Sequence, residues 1–145
     1  MGTGATFVRG AAPFVVAGGA HVRRRTELEL AAGAVGLLRE TLVLGRSSEA
    51  GGAIRSTLRA TLAGRHLFVE DLALDGRTLR GSPAVLGEVR VLGTVVLLGT
   101  RPSALEHPHE THLEQAAMAA TWARWRDALA GRRRRLGGRT FAGMT

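Results

Sequence analysis

Three histidines fall within six positions in EHPHETHLEQ, residues 106–115: His107, His109 and His112, with Glu106, Glu110 and Glu114 among them. Imidazole suits nickel, zinc and copper, and carboxylates can add oxygen ligands. His109 and His112 stand at i, i+3, a spacing that shares one helix face, but Pro108 holds His107 in extended chain. The arrangement is not HExxH, in which two histidines four residues apart face a zinc ion from one helix. The plainer reading is a polar linker entering a helix, with Glu110 and Glu114 stabilised at its positive end. The enzymatic alternative is a metal-dependent hydrolase or lyase using His107, His109 and His112.

Other chemistries leave less trace. The chain has no cysteine, which excludes a disulfide scaffold, a thiolate zinc site and a cysteine nucleophile, and is compatible with a reducing cytoplasm. GTGATF near the start contains GxG without the preceding strand and spacing of a dinucleotide fingerprint, and GxxxxGK[ST] does not occur. There is no GxSxG elbow. Ser47, Ser48, Ser56 and Ser82 lack a histidine and carboxylate at a spacing that signals a triad. The net charge is +8, and all 20 basic residues are arginine, in a chain also heavy in Ala and Gly. Such bias weakens charge as a guide to partners. Five arginines fall in GRRRRLGGR, 131–139, and what precedes them is nearly balanced. The interleaved aromatics and modules of nucleic-acid binders are missing, so no nucleic-acid partner is expected. No run approaches the ~18 apolar residues that span a bilayer, and no membrane partner is expected.

The elements that must position any site are mostly strands. At 145 residues and 45% apolar content the chain fits one domain with a core of Leu, Val and Ala. RRRTELEL, 23–30, alternates with Thr26, Leu28 and Leu30 on one face and Glu27 and Glu29 on the other, the period of a half-buried strand. VGLLRETLVLG, 35–45, is a longer apolar run, and IRSTLRATL, 54–62, alternates again. AGR, 63–65, predicts a tight hairpin turn into HLFVEDLAL, 66–74, and DGR, 75–77, is a second turn signal. VRVLGTVVLLG, 89–99, is expected as a buried strand. The pattern predicts a mainly β fold, whether sheet, sandwich or solenoid, with one C-terminal α-helix. The expected divisions are a β-rich region 1–99, a linker 100–110, a helix 111–131 and a mobile Arg-rich tail 132–145. Thr111 and Glu114 form a capping-box pair, and Gly131 is the expected stop. Met118, Trp122, Trp125 and Leu129 make an apolar helical stripe. Core packing is the plain reading of the two tryptophans, and a partner-binding face is the alternative.

The order of segments resembles the urease accessory protein UreD (UreH) family. The similarity runs from about residue 12 to 99. It comprises an apolar strand after Pro13, an arginine-rich strand, a Gly-Ala turn, then Glu40, Gly45, Arg46 and Glu49 in the pattern E-x4-GR-x2-E. Gly64, Arg65, Leu67, Glu70 and Asp71 follow in a hairpin. The resemblance implies a β-rich, non-catalytic scaffold, its strands in a stacked antiparallel or helical β arrangement, that assists nickel insertion into the urease apoprotein together with UreF and the GTPase UreG in the cytoplasm. It implies no tightly bound cofactor, with nickel in transit. In that setting His107, His109 and His112 would form a weak, exchangeable nickel site, and Arg46, Glu49, Glu70 and Asp71 are the candidate partner contacts. Glu40 and Gly45 read equally well as structural, the second as a turn glycine at positive φ. Family members are longer and begin with further strands. The chain is therefore expected to be a shortened member with an uncovered sheet edge, prone to self-association. A generic β-rich interaction module is the alternative outside the family.

Overall fold

A computed structural model of the chain describes residues 2–74, 82, 86–87, 89–101 and 115–136. Among these residues seven strands and one helix follow in order: β1 (Thr6–Gly10), β2 (Phe14–Val16), β3 (His21–Leu30), β4 (Val35–Leu44), β5 (Ala53–Leu62), β6 (Arg65–Leu74), β7 (Val91–Leu98) and α1 (Gln115–Leu136). In the first sheet β4 is central. β1 and β2 lie end to end along one side of it in parallel, and β7 runs antiparallel on the other. In the second sheet β5 is central, parallel to β3 and antiparallel to β6.

Following the chain shows why both pairings occur. It passes from β1 and β2 in the first sheet to β3 in the second, back to β4, then to β5. Each pass lays a strand beside its predecessor in the same direction, which is a helical β winding. The turn at Ala63 and Gly64 then reverses the chain. Both residues have positive φ, 49° and 76°, as a two-residue type I′ turn requires. β6 and β7 consequently return antiparallel. The register slips between Ala60 and Thr61, leaving Leu67 as an extra residue on β6.

Burial explains the two kinds of strand sequence. In β3 the even positions from Val22 to Leu30 turn inward and the odd ones are exposed. β4 is covered on both faces, so Val35, Gly36, Leu37 and Leu38 are all buried and its pattern is a run rather than an alternation. Between the sheets lie two apolar clusters, one around Val16, Leu42, Leu44, Ile54 and Leu74, the other around Leu30, Ala34, Leu38, Ala60 and Leu98. On the outer face of the first sheet, α1 lays Leu129 against Val35 and Leu37, with Trp122 and Trp125 packed around them. Both tryptophans are thus half-buried and pack the helix onto this cluster. A Cβ at Gly10 would sit 3.2 Å from the Trp122 ring, so this glycine lets the helix approach β1.

Two expectations need correction, and one strand was unforeseen. β7 is not a buried strand: Val91 is 48% exposed and only Leu98 is buried, because among the described residues β7 pairs with β4 alone and lies at the edge of its sheet. β1 was not anticipated, since five residues are too few for a periodic signal and parallel pairing to β4 decides them. Gly131 does not stop α1, which continues through Arg132–Arg135 to Leu136. A glycine within a helix costs only about 1 kcal/mol relative to Ala, and the arginines that follow are good helix formers. Residues 102–114, which hold most of the expected linker together with Thr111, and residues 137–145 of the expected tail lie outside the described residues, as does DGR at 75–77.

Candidate functional site

The winding fold places two polar arrangements: one at the corner between β4 and β5, the other between the sheets. At the corner the chain must turn out of one sheet and into the other. Gly45, Ser48 and Gly51 take positive φ to do so, 86°, 66° and 73°. A Cβ at Gly45 would stand 2.6 Å from both the Glu49 carbonyl oxygen and the Gly51 nitrogen, so Gly45 satisfies both the turn and the close approach. This corner is stitched to the preceding one. The Gly45 and Gly52 N–H groups donate to the Val16 carbonyl at 2.8 and 3.2 Å, and the Ala53 N–H donates to Ala20 at 2.8 Å.

Two side chains complete the stitching. Glu49 Oε2 accepts from the Gly18 N–H at 2.9 Å and from the Arg46 N–H at 3.3 Å. These backbone bonds, the Gly18 one foremost, hold the Glu49 carboxyl below the usual carboxylate range, with help from the Arg46 and Arg90 charges. From the other side the Arg90 guanidinium donates to the carbonyls of Leu44 at 3.3 Å, Arg46 at 3.0 Å, and Glu49. Arginine's planar fork suits this task, because several fixed donors reach several carbonyls at once. The Arg46 side chain itself, with Ser47 and Ser48, stays exposed.

Between the sheets a polar layer separates the two apolar clusters. Arg24 Nη2 lies 2.5 Å from Glu40 Oε1, with the two side chains 20% and 19% exposed. The Arg24 guanidinium also lies 5.6 Å from the centre of the Phe14 ring, a cation–π contact. A cavity of about 30 Å³ adjoins the pair, lined by Ser56, Glu70 and Thr94 besides Arg24 and Glu40. That is room for a water molecule.

The four residues expected to contact partners are therefore dispersed. Arg46 and Glu49 share the corner, with the Glu49 carboxylate committed to backbone N–H groups. Glu70 and Asp71 point to opposite faces of β6: Glu70 lines the inter-sheet cavity, and Asp71 lies outside, bonded to Arg55 at 2.9 and 3.3 Å. The hydrogen bond from Arg55, then the charges of Arg55 and Arg59, hold Asp71 below the usual carboxylate range. His107, His109 and His112 lie outside the described residues. Among the described residues, no three metal-ligating side chains converge.

Sequence reasoning missed Arg24 and Arg90. Arg24 carried a signal. It interrupts the inward positions Val22, Thr26, Leu28 and Leu30 of an alternating strand, and an inward arginine requires an acidic partner. Glu40 interrupts Leu38 and Leu42 on β4 in the same way. Arg90 carried none, because the corner it binds is 41 to 46 residues earlier in the chain.

Residues 1–140 match the family model of the UreD urease accessory protein. Over 101 residues the chain is 54% identical to the urease accessory protein UreD 1 of Streptomyces griseus, covering 70% of this chain and 40% of that protein. It is 37% identical over 103 residues to the urease accessory protein UreD of Cereibacter sphaeroides (67% and 38% covered). With that of Frankia alni it shares 40% identity over 99 residues (68% and 30% covered). The chain thus spans less than half the length of each of these relatives.

Proposed function

Because the chain belongs to the UreD urease accessory protein family, we propose that it is a non-catalytic scaffold of urease maturation. In this reading it binds UreF, and with UreF and the GTPase UreG it acts as a chaperone on the urease apoprotein in the cytoplasm, assisting nickel insertion. The family match over residues 1–140 is the observation that carries the reading. The fold supports it in a second way. A winding β framework with clipped corners presents loop side chains such as Arg46 on a rigid support, as a docking scaffold needs.

Nickel is cargo here, not a resident cofactor. A carrier of cargo must bind it weakly enough to release it. His107, His109 and His112 would form a weak, exchangeable site for it. Replacing all three with Ala should lower nickel uptake in calorimetry, and unchanged uptake removes that assignment.

The role is tested by capture of this chain with UreF from the same organism, with and without UreG. Capture is expected, and Arg46→Glu should weaken it. A chain that is folded by circular dichroism yet captures neither protein would overturn the reading.

A further inference from the structure

The order of charges along β3 suits a partner that carries the same order reversed. Among the described residues, β3 is the edge of its sheet: β5 pairs with one side of it and nothing with the other. The carbonyls of Ala20 and Leu30 accept from Ala53 and Ala63, at the two ends of the β3–β5 ladder. The even positions of β3 therefore aim their backbone groups at β5, and the odd positions aim theirs at the open edge. The odd side chains, Arg23, Arg25, Glu27 and Glu29, stand on the exposed outer face of the sheet. Two positive charges are thus followed by two negative ones, centred on Thr26; within the strand Arg25 donates to Glu27, a contact that pairing across the edge would exchange for one between copies.

We propose that this edge is a self-docking surface: β3 pairs antiparallel with β3 of a second copy about a two-fold axis at Thr26, joining the two three-stranded sheets into one. In that register Arg25 faces Glu27 of the other copy and Arg23 faces its Glu29, and the symmetry repeats both pairs. The parity agrees, since these odd positions direct their N–H and C=O groups outward and would form the hydrogen-bonded pairs of the new ladder. Opposite charges directly across a ladder favour pairing, whereas a parallel arrangement would put like charges opposite each other. Charged residues ordinarily keep an edge open. Here their order closes it against a copy of itself and leaves it guarded against most other strands. Apolar surface at the same end of the winding adds to the seam. Phe14, beside Arg24, and Val15 are 38% and 47% exposed on the neighbouring edge strand β2, and Val8 is 38% exposed on β1.

The test is charge exchange followed by sedimentation velocity over a concentration series. The unaltered chain should dimerise. R23E/R25E and E27R/E29R, each confirmed as folded by circular dichroism, should each lose at least about tenfold in self-affinity, because the seam now apposes like charges. Mixed in equal amounts, the two variants should associate with each other, since one carries four acidic and the other four basic residues along the edge. A monomeric wild-type chain at the highest concentration overturns the proposal. So does a variant that dimerises like the wild type, or a mixture that does not associate.

Discussion

The ion pair between the sheets gives the sharpest energetic test. Glu40→Gln keeps the side chain's shape and removes its charge, leaving the Arg24 guanidinium in a layer where the two side chains are only 20% and 19% exposed. Two unit charges about 4 Å apart attract by about 4 kcal/mol at an effective dielectric constant of about 20. Desolvation of both ions offsets most of this, so the pair as a whole is worth little against an apolar replacement. Removing one partner is different, because the remaining charge keeps its desolvation cost without its compensation. At this partial burial the loss should be about 2 kcal/mol, between the values for exposed and fully buried pairs. With a urea slope of about 2 kcal/mol/M, the unfolding midpoint of Glu40→Gln should fall by about 1 M. In a cycle of R24M, E40L and the double variant R24M/E40L, each single change should lose about 2 kcal/mol while the double variant stays within about 1 kcal/mol of the unaltered chain, a coupling energy of about 3 kcal/mol. If the two single losses simply add, Arg24 and Glu40 do not act as a pair and the reasoning fails.

Other outcomes follow from the corner and the helix. Gly45→Ala combines a positive φ with a Cβ 2.6 Å from two backbone atoms, and should destabilise by about 3 kcal/mol in urea unfolding; a loss under about 1 kcal/mol would mean that the corner can relax. Leu129→Ala empties the site where α1 meets Val35 and Leu37, and should cost about 3 kcal/mol. Fluorescence of Trp122 and Trp125 should report the loosened helix, and an unshifted melting curve would argue against tight docking. The carboxyls of Glu49 and Asp71 are held below their ordinary range in the folded chain. Their contribution is therefore complete above the unfolded carboxylate pKa of about 4 and is lost as pH falls below it. The stability gap between the unaltered chain and Glu49→Gln should be clear at neutral pH and close in acid. A gap independent of pH would contradict the backbone-bonded carboxylate. Arg90→Lys keeps the charge but cannot reach three carbonyls, and should speed amide exchange at Gly45 and Gly52 without disturbing β1.

Much of this architecture could be read from local pattern because it rests on local physics. The alternation in 23–30 and 54–62 follows from the two-residue period of a strand, and the hairpin at Ala63–Gly64 from the short link between two β runs. Gly45 was readable as a positive-φ turn, and the order of segments around Glu40, Gly45, Arg46 and Glu49 was enough to indicate the family. Tertiary structure decided what depends on contacts distant in sequence. Whether β7 was central or at an edge could not follow from an apolar run, since burial depends on what lies beside it. Five residues became β1 only because β4 offered a parallel ladder. Glu49 resembled a surface carboxylate until the Gly18 N–H, 31 residues earlier, was brought to it. Glu70 and Asp71 are adjacent in the chain and both were candidate partner contacts, yet the strand period sends them to opposite faces of the sheet. Sequence alone determined which residues alternate and where the chain turns. Only the packing of one sheet on the other determined which charges stand in water and which lock the two sheets together, because a strand's local pattern does not specify what its inner face will meet.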